Sequence, residues 1–132
     1  IIIAHSNDEK PLKSYNISDS LGVSDSYLKK IIRQLVVAGL ITSEAGKKGG
    51  VCLSRKPDKI TLLDIFEAIE GKEPFAKATG LVERVFVNEL KEIMDQKQAM
   101  ILDAFNAAEA SYKEKLKTIT LKMAMVERKK DS

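Results

Sequence analysis

Apolar residues fall three and four positions apart over residues 25–38, 61–70 and 81–116, and short apolar runs over residues 40–43 and 51–54 carry inward apolar positions next to polar ones. The first spacing predicts helices with one buried stripe, and the second predicts short half-buried strands. In the helix over 25–38, Leu28, Ile31, Ile32 and Leu35 share one arc at about 100° per residue. Ser26, Lys30, Arg33 and Val37 share the opposite arc, flanked by Tyr27, Lys29 and Gln34. Residues 12–21 predict a shorter helix whose inner side comes from Tyr15, Ile17 or Ser18, and Leu21. Gly22 can take the left-handed backbone that ends a helix, and the Ser24 hydroxyl can cap the next one. Leu21, Gly22, Val23 and Ser24 therefore predict the tight corner of a helix-turn-helix.

Gly39 ends the central helix. The strands over 40–43 and 51–54 enclose a loop, residues 44–50, that holds Gly46, Gly49 and Gly50 around Lys47 and Lys48. This order predicts a hairpin wing with two lysines at its tip. Thr61 and Asp64 have the spacing of a capping box. The helix they start buries Leu62, Ile65, Phe66 and Ile69 and ends at Gly71. Residues 72–80, with Pro74, predict an irregular connection. No Gly or Pro interrupts residues 81–116, which predicts a helix roughly 50 Å long. Its apolar seam, Val82, Phe86, Leu90, Ile93, Ile101, Phe105, Ala108, Tyr112 and Leu116, is too long for one small head to cover. The same helix of a second subunit would cover it. Thr118 or Thr120 then caps a final helix carrying Leu121, Ala124 and Met125. The expected architecture is mainly α with a small two-stranded β-wing. Residues 1–71 form a winged helix-turn-helix domain, 72–80 a connecting loop, and 81–132 a long dimerisation helix with a C-terminal helix. Residues 1–6 read as the end of a first helix, and the absence of an initial Met suggests residues upstream.

Charge sharpens this picture. The net charge is only +3 over 132 residues. Between Ser26 and Ile60, however, eight basic residues (Lys29, Lys30, Arg33, Lys47, Lys48, Arg55, Lys56 and Lys59) face two acids, Glu44 and Asp58. From Thr61 onward acids and bases nearly balance, 13 against 12. A basic face confined to one module points to a polyanion met by that module, double-stranded DNA above all. A basic face that docks an acidic protein is the competing expectation.

The enzyme class finds little support. One His, one Cys and no Trp leave no nucleophile–base pair and no metal-ligand spacing, so neither cofactor nor metal is expected. Residues 46–50, Gly-Lys-Lys-Gly-Gly, join two strands, whereas a phosphate-binding loop must open a helix. A lone Cys52 fits a reducing compartment, the cytoplasm. No apolar run approaches membrane-spanning length.

The residues Ser24, Tyr27-Leu28, Leu35, Ala38-Gly39-Leu40-Ile41, Ser43, Gly46, Gly49-Gly50, Leu53, Ile60-Thr61-Leu62, Asp64-Ile65 and Ala68-Ile69-Glu70-Gly71 carry a resemblance. The chain resembles the winged-helix bacterial repressors that include IscR, NsrR and CymR. That resemblance implies a homodimeric transcription regulator on a palindromic operator. By position it implies that Ser26 and Tyr27 contact bases or backbone and that Gly49 and Gly50 are the wing glycines. The residues themselves add Ser24, Lys29, Lys30 and Arg33 on the recognition helix and Lys47 and Lys48 at the wing tip as candidate DNA contacts. Three departures stand out. Cluster-bearing members carry three cysteines between the fourth helix and the long helix, and residues 72–87 contain none. Ala45-Gly46 replaces the usual Arg-Gly of the wing. Lys29 stands where an acid often follows Tyr-Leu, so the preferred operator should differ. Control through a partner protein, a small-molecule effector between the long helices, or oxidation of Cys52 stays open.

Overall fold

The computed structural model describes residues 1–6, 11–74 and 91–126. The turn expected at residues 7–10, most of the connection over 75–80, the start of the long helix over 81–90 and the tail beyond 126 lie outside the described residues.

Helix α1 (Ile2–His5) is a single turn. Helix α2 (Ser14–Leu21) starts two residues later than the pattern suggests. Leu12 instead pairs with Val51: its N–H donates to the Val51 carbonyl at 3.2 Å, and the Val51 N–H donates back at 2.8 Å. Of the expected inner residues of α2, Ile17 and Ser18 are both buried, whereas Tyr15 and Leu21 are exposed. Within α2 the buried arc narrows to that pair.

The corner forms as its residues dictate. Gly22 takes left-handed backbone, φ 67°, and the Val23 N–H reaches the Ser18 carbonyl at 3.1 Å. Helix α3 (Asp25–Val37) is capped by Ser24, whose Oγ accepts from the Tyr27 N–H at 3.2 Å. Ser18 Oγ bridges the two helices, donating to Asp25 Oδ1 at 3.1 Å. Gly39, again left-handed, ends α3, and the Leu40 N–H closes the turn on the Leu35 carbonyl.

Strands β1 (Ile41–Glu44) and β2 (Gly50–Leu53) pair antiparallel, with Ile41 opposite Leu53 and Glu44 opposite Gly50. A 3₁₀ turn (Pro57–Lys59) leads to α4 (Leu62–Glu70). The capping box is complete: Asp64 N–H donates to Thr61 Oγ1 at 3.1 Å, and Thr61 N–H donates to Asp64 Oδ2 at 3.0 Å. Gln34 of α3 donates from Nε2 to the Ile69 carbonyl in the last turn of α4. That carbonyl has no acceptor role left inside its own helix, so the bond ties α3 to α4.

One core joins these elements: Ile17, Leu28, Ile32, Leu40, Ile41, Val51, Ile60 and Leu121. The last member is not one the sequence pattern places there. Thr120 caps α6 (Leu121–Ala124), and Thr120 bridges Thr61 across a backbone pair. The Leu62 N–H donates to the Ile119 carbonyl, and the Leu121 N–H to the Ile60 carbonyl at 2.7 Å. The compact head therefore comprises Ile1–Gly71 and the chain from Leu116 onward, with Lys72–Lys115 a separate unit. The sequence pattern groups α6 with the long helix. Backbone pairing after Thr118 draws it to the head instead.

Helix α5 (Lys91–Lys117) makes up most of the described part of the second unit. Its 27 residues span about 40 Å. Met94 and Glu109 are buried within it.

Candidate nucleic-acid interface

The apolar stripe of α3 faces the core through Leu28 and Ile32, so its other side must face outward. Ser26, Tyr27, Lys29, Lys30 and Arg33 are all exposed there. Ser24 is exposed too, but its oxygen is engaged in capping, with Ser26 Oγ 3.4 Å away. Lys29 Nζ lies 3.9 Å from Asp25 Oδ2, one turn earlier, and both side chains are largely in solvent. Such a pair is weak and easily exchanged for a stronger anion. Among the described residues, Lys30 and Arg33 make no ion pair.

The wing places its lysines at the tip. Gly49 N–H donates to the Gly46 carbonyl at 3.1 Å, which makes Lys47 and Lys48 the two central residues of the turn. Both are exposed. Lys13 Nζ donates to the Gly46 carbonyl and adds a cation beside the tip turn. Sequence reasoning missed Lys13, because only folding brings the start of α2 beside the loop.

Gly49 and Gly50 are placed differently from the two lysines beside them. Both are buried. A Cβ on Gly49 would collide with the Glu44 and Ala45 carbonyls, and one on Gly50 would meet Pro11 Cβ at 2.8 Å and Leu12 O at 2.9 Å. Their small size lets the loop close on Glu44 and Ala45 and lets the wing lie against Pro11 and Leu12.

Between α3, the start of α2 and β1 runs an open groove of about 490 Å³. Ser14, Lys29, Arg33 and Ser43 supply its polar lining, and Ile32, Val36 and Val37 its apolar wall. Val37 is 82% exposed. Sequence reasoning named neither Ser14 nor Ser43 as functional, since the two lie far apart along the chain.

In the second unit, Ile93, Ile101 and Phe105 of the expected dimer seam are 47%, 50% and 54% exposed, and Met100 beside them is 59% exposed. Tyr112 is half-buried within the subunit. Val82, Phe86 and Leu90 lie outside the described residues. Cys52 is half-buried, opposite Thr42 in the wing.

A helix-turn-helix with a hairpin wing, a capped central helix turned cation-side outward and lysines at the wing tip together define a winged helix-turn-helix head, the architecture of DNA-binding transcription regulators. The family model Rrf2, "Iron-dependent Transcriptional regulator", matches residues 1–127, and the chain belongs to this family. It is 41% identical over 95 residues to YwgB of Bacillus subtilis (strain 168), named an HTH-type transcriptional regulator; the match takes in 72% of this chain and 61% of that protein. With the HTH-type transcriptional regulator CymR of Bacillus subtilis (strain 168) it shares 35% over 71 residues, 54% of this chain and 51% of CymR. The chain thus spans about three-fifths of the first of these relatives and half of the second. Among solved structures, CymR, the global cysteine regulator of B. subtilis, superposes with a TM-score of 0.61 at 25% identity, covering 92% of this chain and 83% of that one. IscR of T. potens gives 0.60 at 25% identity, covering 96% and 82%.

The family description implies iron. The donors of this chain do not fit an iron–sulfur group: such clusters are held by thiolates, usually four, or by thiolates with histidines, and Cys52 and His5 are the chain's one cysteine and one histidine. Nor do three or more His, Cys, Asp or Glu converge on a metal-sized site among the described residues. Among the described residues no helix is long and apolar enough to cross a membrane.

Proposed function

We propose that this chain is a sequence-specific DNA-binding repressor that acts as a homodimer on a palindromic operator in the cytoplasm, without an iron–sulfur cluster. The observation that carries the reading is the outward arc of α3: Ser26, Lys30 and Arg33 stand exposed on the side opposite buried Leu28 and Ile32. A helix of this kind lies in a major groove, where its N-terminal side chains meet base edges and its cations meet phosphates. Lys47 and Lys48, at the tip of the wing, reach toward the adjacent minor groove. The exposed apolar residues Ile93, Met100, Ile101 and Phe105 on α5 support pairing with a second copy, which would bring two heads to the two half-sites.

The test is recovery of bound genomic fragments, followed by affinity measurements at two salt concentrations. A shared palindrome and steep weakening with salt are expected, because each neutralised phosphate releases counterions. Lys30→Glu or Arg33→Glu abolishes operator binding while the dimer persists. A charge-reversed protein that retards the operator normally would put the reading face elsewhere. A protein that binds no duplex even in dilute salt would favour an acidic protein as the partner of the basic face.

A further inference from the structure

The groove beside α3 holds residues that base reading does not employ. Ser14 is the first residue of α2 and Ser43 belongs to β1, yet both border the same space as Lys29 and Arg33. Among the described residues no acidic side chain lines it, and Ile32, Val36 and Val37 form its wall. Helix α2 starts without a side-chain cap, so its first turn also turns backbone N–H groups and the positive end of its dipole outward.

Two cations one helical turn apart, two hydroxyl donors and an aliphatic wall match one chemistry in particular. A phosphodiester presents two non-bridging oxygens that share one negative charge, beside the C–H face of a deoxyribose. A base edge would call instead for a planar donor–acceptor pair aimed along one direction. The exposed Lys29–Asp25 pair gives way to such an anion at little cost. Resting on the reading of this head as a duplex binder, we infer that the groove seats one backbone phosphate of the DNA strand lying between recognition helix and wing. Lys29 and Arg33 neutralise its charge, Ser14 and Ser43 donate hydrogen bonds to its oxygens, and Val36 and Val37 pack on the neighbouring sugar.

The experiment is a duplex titration by fluorescence anisotropy across a salt series, with a thermal melt of each variant in parallel. Ser14→Glu places a carboxylate at a helix start, where the dipole favours it, so the melting temperature holds or rises. The same carboxylate faces the phosphate, and affinity falls by about tenfold or more. Ser43→Ala removes one donor to a charged acceptor and lowers affinity by about tenfold with the salt slope unchanged. Lys29→Gln combined with Arg33→Gln flattens that slope by about 0.9, the share of the one phosphate no longer neutralised. If the unsubstituted protein binds duplex and both serine variants bind equally well, the groove is overturned and the DNA reading stands. A drop in affinity matched by a fall in melting temperature overturns it too, in favour of a role in folding. If the unsubstituted protein binds no duplex, the DNA reading itself fails and takes the groove with it.

Discussion

Replacing Leu121 with Ala probes the least expected feature of the head. Leu121 is 4% exposed and belongs to the same core cluster as Ile17, Leu28, Val51 and Ile60. The substitution deletes three carbon atoms from that core, worth about 2.4 kcal/mol of transfer free energy at about 0.8 kcal/mol per buried methylene. The cavity left behind adds to this, and buried leucines truncated to alanine cost about 2–5 kcal/mol in total. The backbone bond from the residue-121 N–H to the Ile60 carbonyl survives, because it involves no side-chain atom. A loss of about 3 kcal/mol is therefore expected. It is a large share of the roughly 5–15 kcal/mol that holds a domain folded. In urea, with a slope of about 1–3 kcal/mol per molar, the midpoint should fall by about 1–3 M. Met123→Ala is the control, since Met123 is 68% exposed two residues away. It should move the midpoint little, within about 0.5 kcal/mol. If Leu121→Ala behaves like Met123→Ala, the C-terminal segment is not part of the head's core, and the chain beyond Leu116 belongs elsewhere.

Thr61→Ala removes the hydroxyl that accepts from the Asp64 N–H while keeping its own backbone N–H bond to Asp64, and should cost about 1 kcal/mol, read from chemical denaturation. Asp64→Ala should cost a similar amount, since it removes the reciprocal acceptor and the partner of Arg55 at 3.8 Å. Gly50→Ala forces a Cβ against Pro11 and the Leu12 carbonyl. Where the backbone accepts it, such a change stabilises by about 0.4–1 kcal/mol; here the clash should reverse the sign and destabilise the wing by more than that, measured as a lower melting temperature. Phe105→Glu puts a carboxylate in the exposed stripe of α5. It should convert a dimer to monomers in sedimentation velocity while leaving helicity unchanged, and an unaltered sedimentation coefficient would remove α5 from the interface.

The local logic of the head was legible in the residues themselves. Ser24, Gly22 and Gly39 announced where α3 begins and ends, because hydroxyl caps and left-handed glycines act within a few residues of where they stand. The short apolar runs around residues 46–50 announced the hairpin, and the Thr61–Asp64 spacing announced its capping box. The division of α3 into a buried and an outward arc followed from helical geometry alone, and with it the cation-bearing face. That the chain holds a single cysteine is likewise read from the sequence, needing no coordinates.

What the chain pattern could not supply was the pairing of residues distant along it. Leu12 reads as part of a helix until Val51 offers its backbone a partner. Gly49 and Gly50 read only as loop glycines until Glu44 and Ala45 crowd the first and Pro11 and Leu12 the second. Leu121 reads as the companion of the long helix until Thr61 and Thr120 pair. Ser14 and Ser43 border one groove only because α2 starts beside the wing. Periodicity fixes which side of an element is apolar, since that depends on a few bonds' rotation per residue. Which other element covers that side depends on loop closure and packing over the whole chain, and the tertiary structure alone decides it.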